Sequence, residues 1–122
     1  MNVLVTGGAG FIGSNLVRRL AASGGSIRVL DDLSTGSRRN LDGVLGPAVT
    51  LVPGDLRDRE VVEAAVDGVE VVFHLAALPS VARSVADPFA SHAVNVDGTL
   101  NLLSASLHAG VRRVVYASSS SV

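Results

Sequence analysis

The sequence predicts a doubly wound α/β domain on a parallel sheet, and three observations carry that prediction. Short β-branched apolar runs alternate with segments of helical periodicity. The first of them, Val3–Val5, is unbroken by polar residues, as a strand covered on both faces requires. A glycine cluster stands where the first run gives way to the first helical segment. The chain has 122 residues, about one domain's worth, and no repeat, low-complexity tract or linker divides the single domain 1–122.

Val3, Leu4 and Val5 form the first strand. Phe11, Ile12, Leu16, Val17 and Leu20 recur at helical spacing, and Ser23, Gly24 and Gly25 stop that helix before a second strand at Ile27, Val29 and Leu30. The polar stretch 31–46 reads as an exposed loop with room for one short helix, ahead of a third strand at Val49–Val52. Asp58 reads as a helix cap, and Val69–Leu75 as a β-branched fourth strand. One long helix is expected over Pro88–Ala109, with proline in its first turn and Gly110 beyond its end. Arg113–Ala117 is the fifth strand, and the sequence stops soon after it, so the expected sheet is truncated after strand five.

Composition excludes several function classes. Hydrophobic residues make up 48% and charged residues 17%, too apolar a balance for disorder. A formal net charge of −1 with scattered arginines leaves no basic patch for nucleic acid or anionic lipid, so a small ligand is expected. Cysteine is absent, which removes disulfides, thiolate metal sites and cysteine nucleophiles. Lysine is absent as well, which rules against a nucleotide-triphosphate loop built on the same glycines. The N-terminus has no signal-like apolar run and no segment reaches membrane-span length, so no membrane partner and a cytoplasmic location are expected.

The stretch TGGAGFIG has the form of a strand-to-helix turn that offers backbone N–H groups and a helix dipole to a pyrophosphate. Gly7 suits the tight turn, Gly10 the close approach of phosphate, and Gly13 the packing of helix against strand, although Gly7 and Gly10 are one residue further apart than in GxGxxG. Asp31 follows about 20 residues later at the end of strand two, where a carboxylate accepts from ribose hydroxyls and repels a 2′-phosphate. The conjunction points to a dinucleotide, NAD rather than NADP. Arg38 and Arg39 argue for a phosphate clamp or for a solvated loop face, the second being the simpler reading given Asp31. Asp55 is a candidate for the adenine edge or for helix capping.

In such sheets ligands lie beyond the carboxyl ends of the strands, which places Ala76 and Ala77 as cofactor wall and Ser118 and Ser119 near the reacting end. His74 has a pKa suited to proton transfer, but it sits in the apolar run VVFHLAA and reads better as a hydrogen-bonded core residue. Asn95 falls mid-helix, where its propensity is poor, so a tertiary hydrogen bond bracing strand four or five is expected. No GxSxG elbow surrounds the serines, against a serine nucleophile.

The stretches TGGAGFIGSNL, DDLSTG, GDLRD, HLAALPSV, NVDGTLNLL and VVYASSSSV together resemble the extended short-chain dehydrogenase/reductases that act on nucleotide sugars, most of all the UDP-glucose (UDP-galactose) 4-epimerase branch. The resemblance implies an NAD-binding Rossmann domain followed by a smaller sugar-nucleotide region. It implies that Phe11 and Ile12 join the glycines at the pyrophosphate, and that Asp31, Asp32, Ser34, Thr35 and Gly36 surround the adenosine ribose. Asp55 and Leu56 become adenine contacts, Leu75, Ala76 and Ala77 the segment beside nicotinamide, and Asn95 and Ser118 cofactor-side positions. Ser80 is a substrate candidate, and Ser119 matches the catalytic serine or threonine that hydrogen-bonds the reacting sugar hydroxyl.

In that family a tyrosine takes the proton from the 4-hydroxyl as C4 passes hydride to NAD, and the 4-keto sugar turns over and takes hydride back. A lysine lowers the tyrosine pKa. The YxxxK motif that supplies both lies downstream of strand five; Tyr116 does not match it, because Ser120 stands where lysine is required. The 122 residues alone are therefore expected to be inactive. Related 4,6-dehydratases carry an Asp-Glu pair where this chain has Ser120 and Ser121, and decarboxylases of the family usually keep the glutamate, which favours an epimerase over either; a non-catalytic dinucleotide sensor is the rival from another class. The implied partners are a nucleotide sugar, UDP-linked by preference, and a second copy of the chain packed through helices that include Pro88–Ala109.

Overall fold

The structure, a computed structural model, describes residues 1–78 and 81–118. Five strands form one parallel sheet in the order β3-β2-β1-β4-β5: β1 Asn2–Thr6, β2 Ser26–Asp31, β3 Val49–Pro53, β4 Val71–His74 and β5 Arg113–Tyr116. The chain leaves β1 toward β2 and β3, then crosses back to place β4 on the other side of β1. The strand order therefore reverses between β1 and β4, and a crevice opens beyond their carboxyl ends.

Side chains alternate between two cores. Leu4 and Leu30 face the layer of α2 (Arg59–Val66) and α5 (Gly98–Ala109), where Val62, Val66, Val72 and Leu102 are buried. Val3, Val5, Ile27 and Val29 face the opposite layer, where Val17 of α1 (Phe11–Ala22) and Leu41 of a 3₁₀ turn (Arg38–Leu41) close the core. Both faces of the inner strands β1, β2 and β4 are largely covered, which is why Val3–Val5 and Val71–Phe73 read as unbroken apolar runs; Arg28 and Thr50 interrupt β2 and β3, and β5 is largely exposed.

Local signals explain the element ends. Gly24 takes a φ of 85° just after α1, and the Asp58 carboxylate accepts from the N–H groups of Glu60 and Val61 at the start of α2. At the end of α5 Gly110 adopts the left-handed region, and Val111 N–H returns to the Ser106 carbonyl.

Three expectations need correction. The helix foreseen over Pro88–Ala109 is not uniform: α4 (Pro88–His92) runs into a π-helical turn at Ala93–Asp97, and α5 continues from Gly98. The wider turn coincides with Asn95, whose side chain is tied to the backbone of Leu78. A separate helix, α3 (Val81–Ala86), precedes α4 and had no counterpart in the sequence reading. Phe11 and Ile12 are not core residues of α1 but stand 83% and 71% exposed at its first turn.

Candidate dinucleotide-binding site

The crevice at the strand reversal holds a cavity of about 400 Å³, within the usual range of cofactor sites, roughly 300–1,000 Å³. Gly7, Gly10, Phe11, Ile12 and Gly13 line it from the β1–α1 turn, Asp31, Asp32, Ser34 and Thr35 from beyond β2, Asp55 and Leu56 from beyond β3, and Leu75, Ala76 and Ala77 from beyond β4. Leu30, Gly54, Leu78, Val94 and Ala117 also line it and were not singled out in the sequence. Three expected positions lie off the lining: Gly36, Asn95 and Ser118. Ser80 and Ser119 fall outside the described residues.

The glycines of the turn differ in how closely they are packed. Gly7 has a φ of 70°, and a Cβ on it would lie 2.8 Å from Ala76 N, so the turn sits directly against the segment after β4. A Cβ on Gly13 would lie 2.2 Å from the Gly7 carbonyl oxygen: the helix packs on the turn itself, not on a strand. The contact between turn and strand belongs instead to Gly8, whose Cβ would meet Val29 at 2.6 Å. Gly10 is the most open of the four, with only the Gly7 carbonyl at 3.3 Å.

At its N-terminus α1 has Gly10 as cap with no side-chain hydrogen bond, and no acid in its first turn. Helix N–H groups that no side chain satisfies, in a turn that lines the cavity and leaves room for an anion, fit a pyrophosphate. No basic side chain lines the cavity among the described residues.

Beside it the rim is acidic. Asp31 is 8% exposed, and its two oxygens receive Ala9 N–H at 2.9 Å and Leu33 N–H at 2.8 Å. The second bond supports Leu33 at a φ of 63°, a costly conformation for leucine. Asp31 thus ties the glycine turn to the loop after β2 while lining the cavity. The same loop closes on the Ala9 carbonyl through Ser37 N–H and the Asn40 amide, and Gly36 packs against Ala9 too closely for a side chain. Ala9 and Asn40 escaped the sequence reading because Ala9 takes part through its own peptide groups, which carry no residue signature, and its partners lie far along the chain.

Asp55 is paired with Arg57, which holds its carboxyl below the ordinary range by direct hydrogen bonding, and the pairing raises the guanidinium in turn. Helix capping falls to Asp58. The Asn95 amide sits behind the pocket, accepting from Leu78 N–H at 2.7 Å and donating to the Leu78 carbonyl at 3.2 Å. His74 is buried at 3% exposure between two threonine hydroxyls, and burial lowers its pKa to about 4. It is a hydrogen-bonded core residue.

Fold and crevice together define a dinucleotide-binding α/β domain of the Rossmann type. The sequence matches the NAD dependent epimerase/dehydratase family over residues 3–122, and the chain belongs to that family, whose cofactor is NAD. It is 47% identical over 121 residues to a UDP-glucose 4-epimerase of Mycolicibacterium smegmatis, covering 98% of this chain and 39% of the relative. A crystal structure of the Thermus thermophilus UDP-glucose 4-epimerase in complex with NAD superposes with a TM-score of 0.87 at 46% identity, covering 98% of this chain and 38% of that one. A dTDP-glucose 4,6-dehydratase from Streptomyces venezuelae with NAD bound gives 0.88 at 42% identity, over 93% and 38%. The chain spans about two fifths of the length of the relatives it matches. Among the described residues no helix is long and apolar enough to cross a membrane.

Proposed function

We propose that the chain is the NAD-binding part of a nucleotide-sugar 4-epimerase of the UDP-glucose/UDP-galactose type, working by transient oxidation at C4. The observation that carries the binding half of this reading is the cavity between an uncapped α1 N-terminus and the acidic rim of Asp31 and Asp32. When bound, NAD supplies a reversible hydride acceptor. The chain's own residues would orient it: the glycine turn for the pyrophosphate, Asp31, Asp32, Ser34 and Thr35 around the adenosine ribose with Gly36 behind them against Ala9, Asp55 and Leu56 at adenine, and Leu75, Ala76 and Ala77 at the nicotinamide half. Carboxylates at the ribose disfavour a 2′-phosphate, so NAD is preferred over NADP.

Ser119 is the residue assigned to the sugar hydroxyl, with Ser80 a second substrate contact, and both assignments rest on their match to the family pattern. The proton chemistry needs a tyrosine and a lysine, and this chain contains no lysine at all. The 122 residues by themselves should therefore turn over no sugar. Similarity to a 4,6-dehydratase keeps that reaction as the second reading, against which stands the absence of an acidic pair at Ser120 and Ser121. A homodimer through the long helix is supported by Phe89, Leu100 and Leu107, which are 86%, 63% and 79% exposed.

Calorimetric titration with NAD and NADP tests the binding half. The expected result is saturable NAD binding with NADP at least about tenfold weaker, roughly 1.4 kcal/mol. Turnover of UDP-glucose and of dTDP-glucose by the full-length protein tests the reaction, and accumulation of a 4-keto-6-deoxy product would replace the epimerase with a dehydratase. Robust epimerisation by the 122-residue chain alone would overturn the division of labour.

A further inference from the structure

His74 is absent from the cavity lining, yet it links three elements that build the cavity. Its Nδ1 lies 2.7 Å from the Thr6 hydroxyl at the end of β1, and its Nε2 lies 2.8 Å from the Thr99 hydroxyl on α5. The Thr99 hydroxyl donates to the Asn95 carbonyl at 2.7 Å, inside the π-helical turn. The Thr6 hydroxyl also receives Leu75 N–H at 3.1 Å, which Leu75 shares with the Thr6 carbonyl, and Ala76 N–H at 3.2 Å.

Proton counting orients the whole chain of bonds. A carbonyl only accepts, so the single Thr99 proton goes to Asn95 and Thr99 must accept from Nε2–H. A neutral imidazole with its proton on Nε2 presents a bare Nδ1, which accepts the Thr6 proton. Thr6 then has lone pairs left for the two amides that approach it. The opposite end agrees, since amide N–H groups only donate.

The segment after β4 is thus held by side chains at both ends, Thr6 at Leu75 and Ala76 and Asn95 at Leu78. The Ala76 amide is the group that a Cβ on Gly7 would strike, so a small movement of this segment is a movement of the pocket wall against the glycine turn.

We infer that His74, as the neutral Nε2–H tautomer, is a positioning residue that sets the spacing between the β1 turn, the Leu75–Leu78 wall and the π-helical turn, and thereby the shape of the cofactor pocket. The inference rests on the NAD reading of that pocket. His74 acts through Thr6 and Thr99 and touches no cofactor itself. An imidazolium cannot do the same work, because both nitrogens would then donate and Thr6 would have to give up an amide.

Long-range proton–nitrogen correlation spectra of the full-length protein without added NAD test the tautomer at neutral pH. The expected signature is a bare Nδ1 and a protonated Nε2; a protonated Nδ1 would overturn the inference whatever the variants do. NAD titration by calorimetry then compares His74→Gln, which offers one acceptor and one donor and does not titrate, with His74→Leu and with Thr6→Val and Thr6→Ser. His74→Leu and Thr6→Val should bind about tenfold more weakly or worse, as expected for buried polar groups left without partners. His74→Gln and Thr6→Ser should stay within about threefold of the parent. Unchanged affinity in a folded His74→Leu or Thr6→Val, or Gln and Leu losing affinity equally, would overturn the inference. If His74→Leu does not fold, the Thr6 pair and the parent spectrum decide. Failure of the parent to bind NAD would refute the NAD reading instead.

Discussion

The two sides of the cavity are built on opposite principles. On the phosphate side, residues 7–13 make a surface of bare backbone in which the side chains that matter are the missing ones at Gly7, Gly8 and Gly13. On the other side, Leu75–Leu78 present small or apolar residues, and the segment is held from behind by Thr6, His74, Thr99 and Asn95. The first side is specified by close packing of backbone, Gly13 on Gly7, Gly8 on Val29 and Gly7 on Ala76, the second by hydrogen bonds between residues 17 to 70 apart in sequence. A mutation on the first side should therefore act through volume, and one on the second through lost hydrogen bonds.

The sharpest way to break the contrast is a methyl group. In Gly13→Ala the new Cβ starts 2.2 Å from the Gly7 oxygen and 2.8 Å from Gly8 Cα, contacts with backbone that has nowhere to go. Overpacking of this kind costs about 3 kcal/mol or more, and NAD affinity should fall with it because the helix N-terminus is displaced. Gly10→Ala meets only one atom at 3.3 Å; it should cost under about 1 kcal/mol of stability yet still weaken NAD binding by crowding the anion. Urea unfolding and calorimetry on both variants separate the two effects. Equal destabilisation would mean that the glycines are not divided between packing and ligand access.

The glycine side was legible in the sequence for a physical reason: a cradle without side chains has to be written in residue types at fixed spacing, and an acid at the end of β2 follows from the same geometry. Even so, the assignment of helix-to-strand packing to Gly13 missed Gly8, since adjacent glycines look alike until Val29 is seen beside one of them. The second side was legible only in outline. Ala76 and Ala77 followed from where ligands sit on such sheets, and Asn95 announced a tertiary bond by its poor helix propensity. Its partner is the backbone of Leu78, which carries no residue signature. Nor does any glycine or proline within Ala93–Asp97 mark the π-helical turn, from which Asn95 reaches Leu78 after β4 while Thr99, at the start of α5, reaches His74 at the end of β4.

The next effect belongs to the second side and is read by pH. His74 has a pKa of about 4 when folded, against an ordinary value of 6.5, and burial is the cause. The groups recorded against its ring are the Thr6 and Thr99 hydroxyls and the Tyr116 ring at 5.4 Å. Between those two pH values the unfolded chain binds the proton more readily than the folded one. The stability associated with the neutral ring is therefore complete above about pH 6.5 and is lost as pH falls toward 4, at most about 3 kcal/mol. His74→Gln removes that slope while leaving the carboxylate titrations common to both proteins. The difference between their pH–stability curves should rise through this window and then level. A constant difference would show that His74 is not held neutral by the fold.

The smallest effect distinguishes the two asparagines of the helix that backs the cavity. Asn95 makes two bonds to Leu78, whereas Asn101 of α5 makes one, from its amide to the Leu56 carbonyl at 2.9 Å, beneath the acidic rim. Leu56 is also held by close packing, since a Cβ on Gly98 would lie 2.9 Å from its side chain. Asn101→Ala removes one support of a loop that packing also fixes, so it should cost about 1 kcal/mol and leave NAD affinity within about threefold. Asn95→Ala leaves the N–H and the carbonyl of Leu78 without their partner, at the far end of a wall whose close packing against the glycine turn is at Ala76. It should cost about 2 kcal/mol and weaken NAD binding more than Asn101→Ala does. If Asn101→Ala instead proved the more damaging to binding, the rim and the wall would have exchanged roles, and the division between a side made by volume and a side made by hydrogen bonds would fail where it is finest.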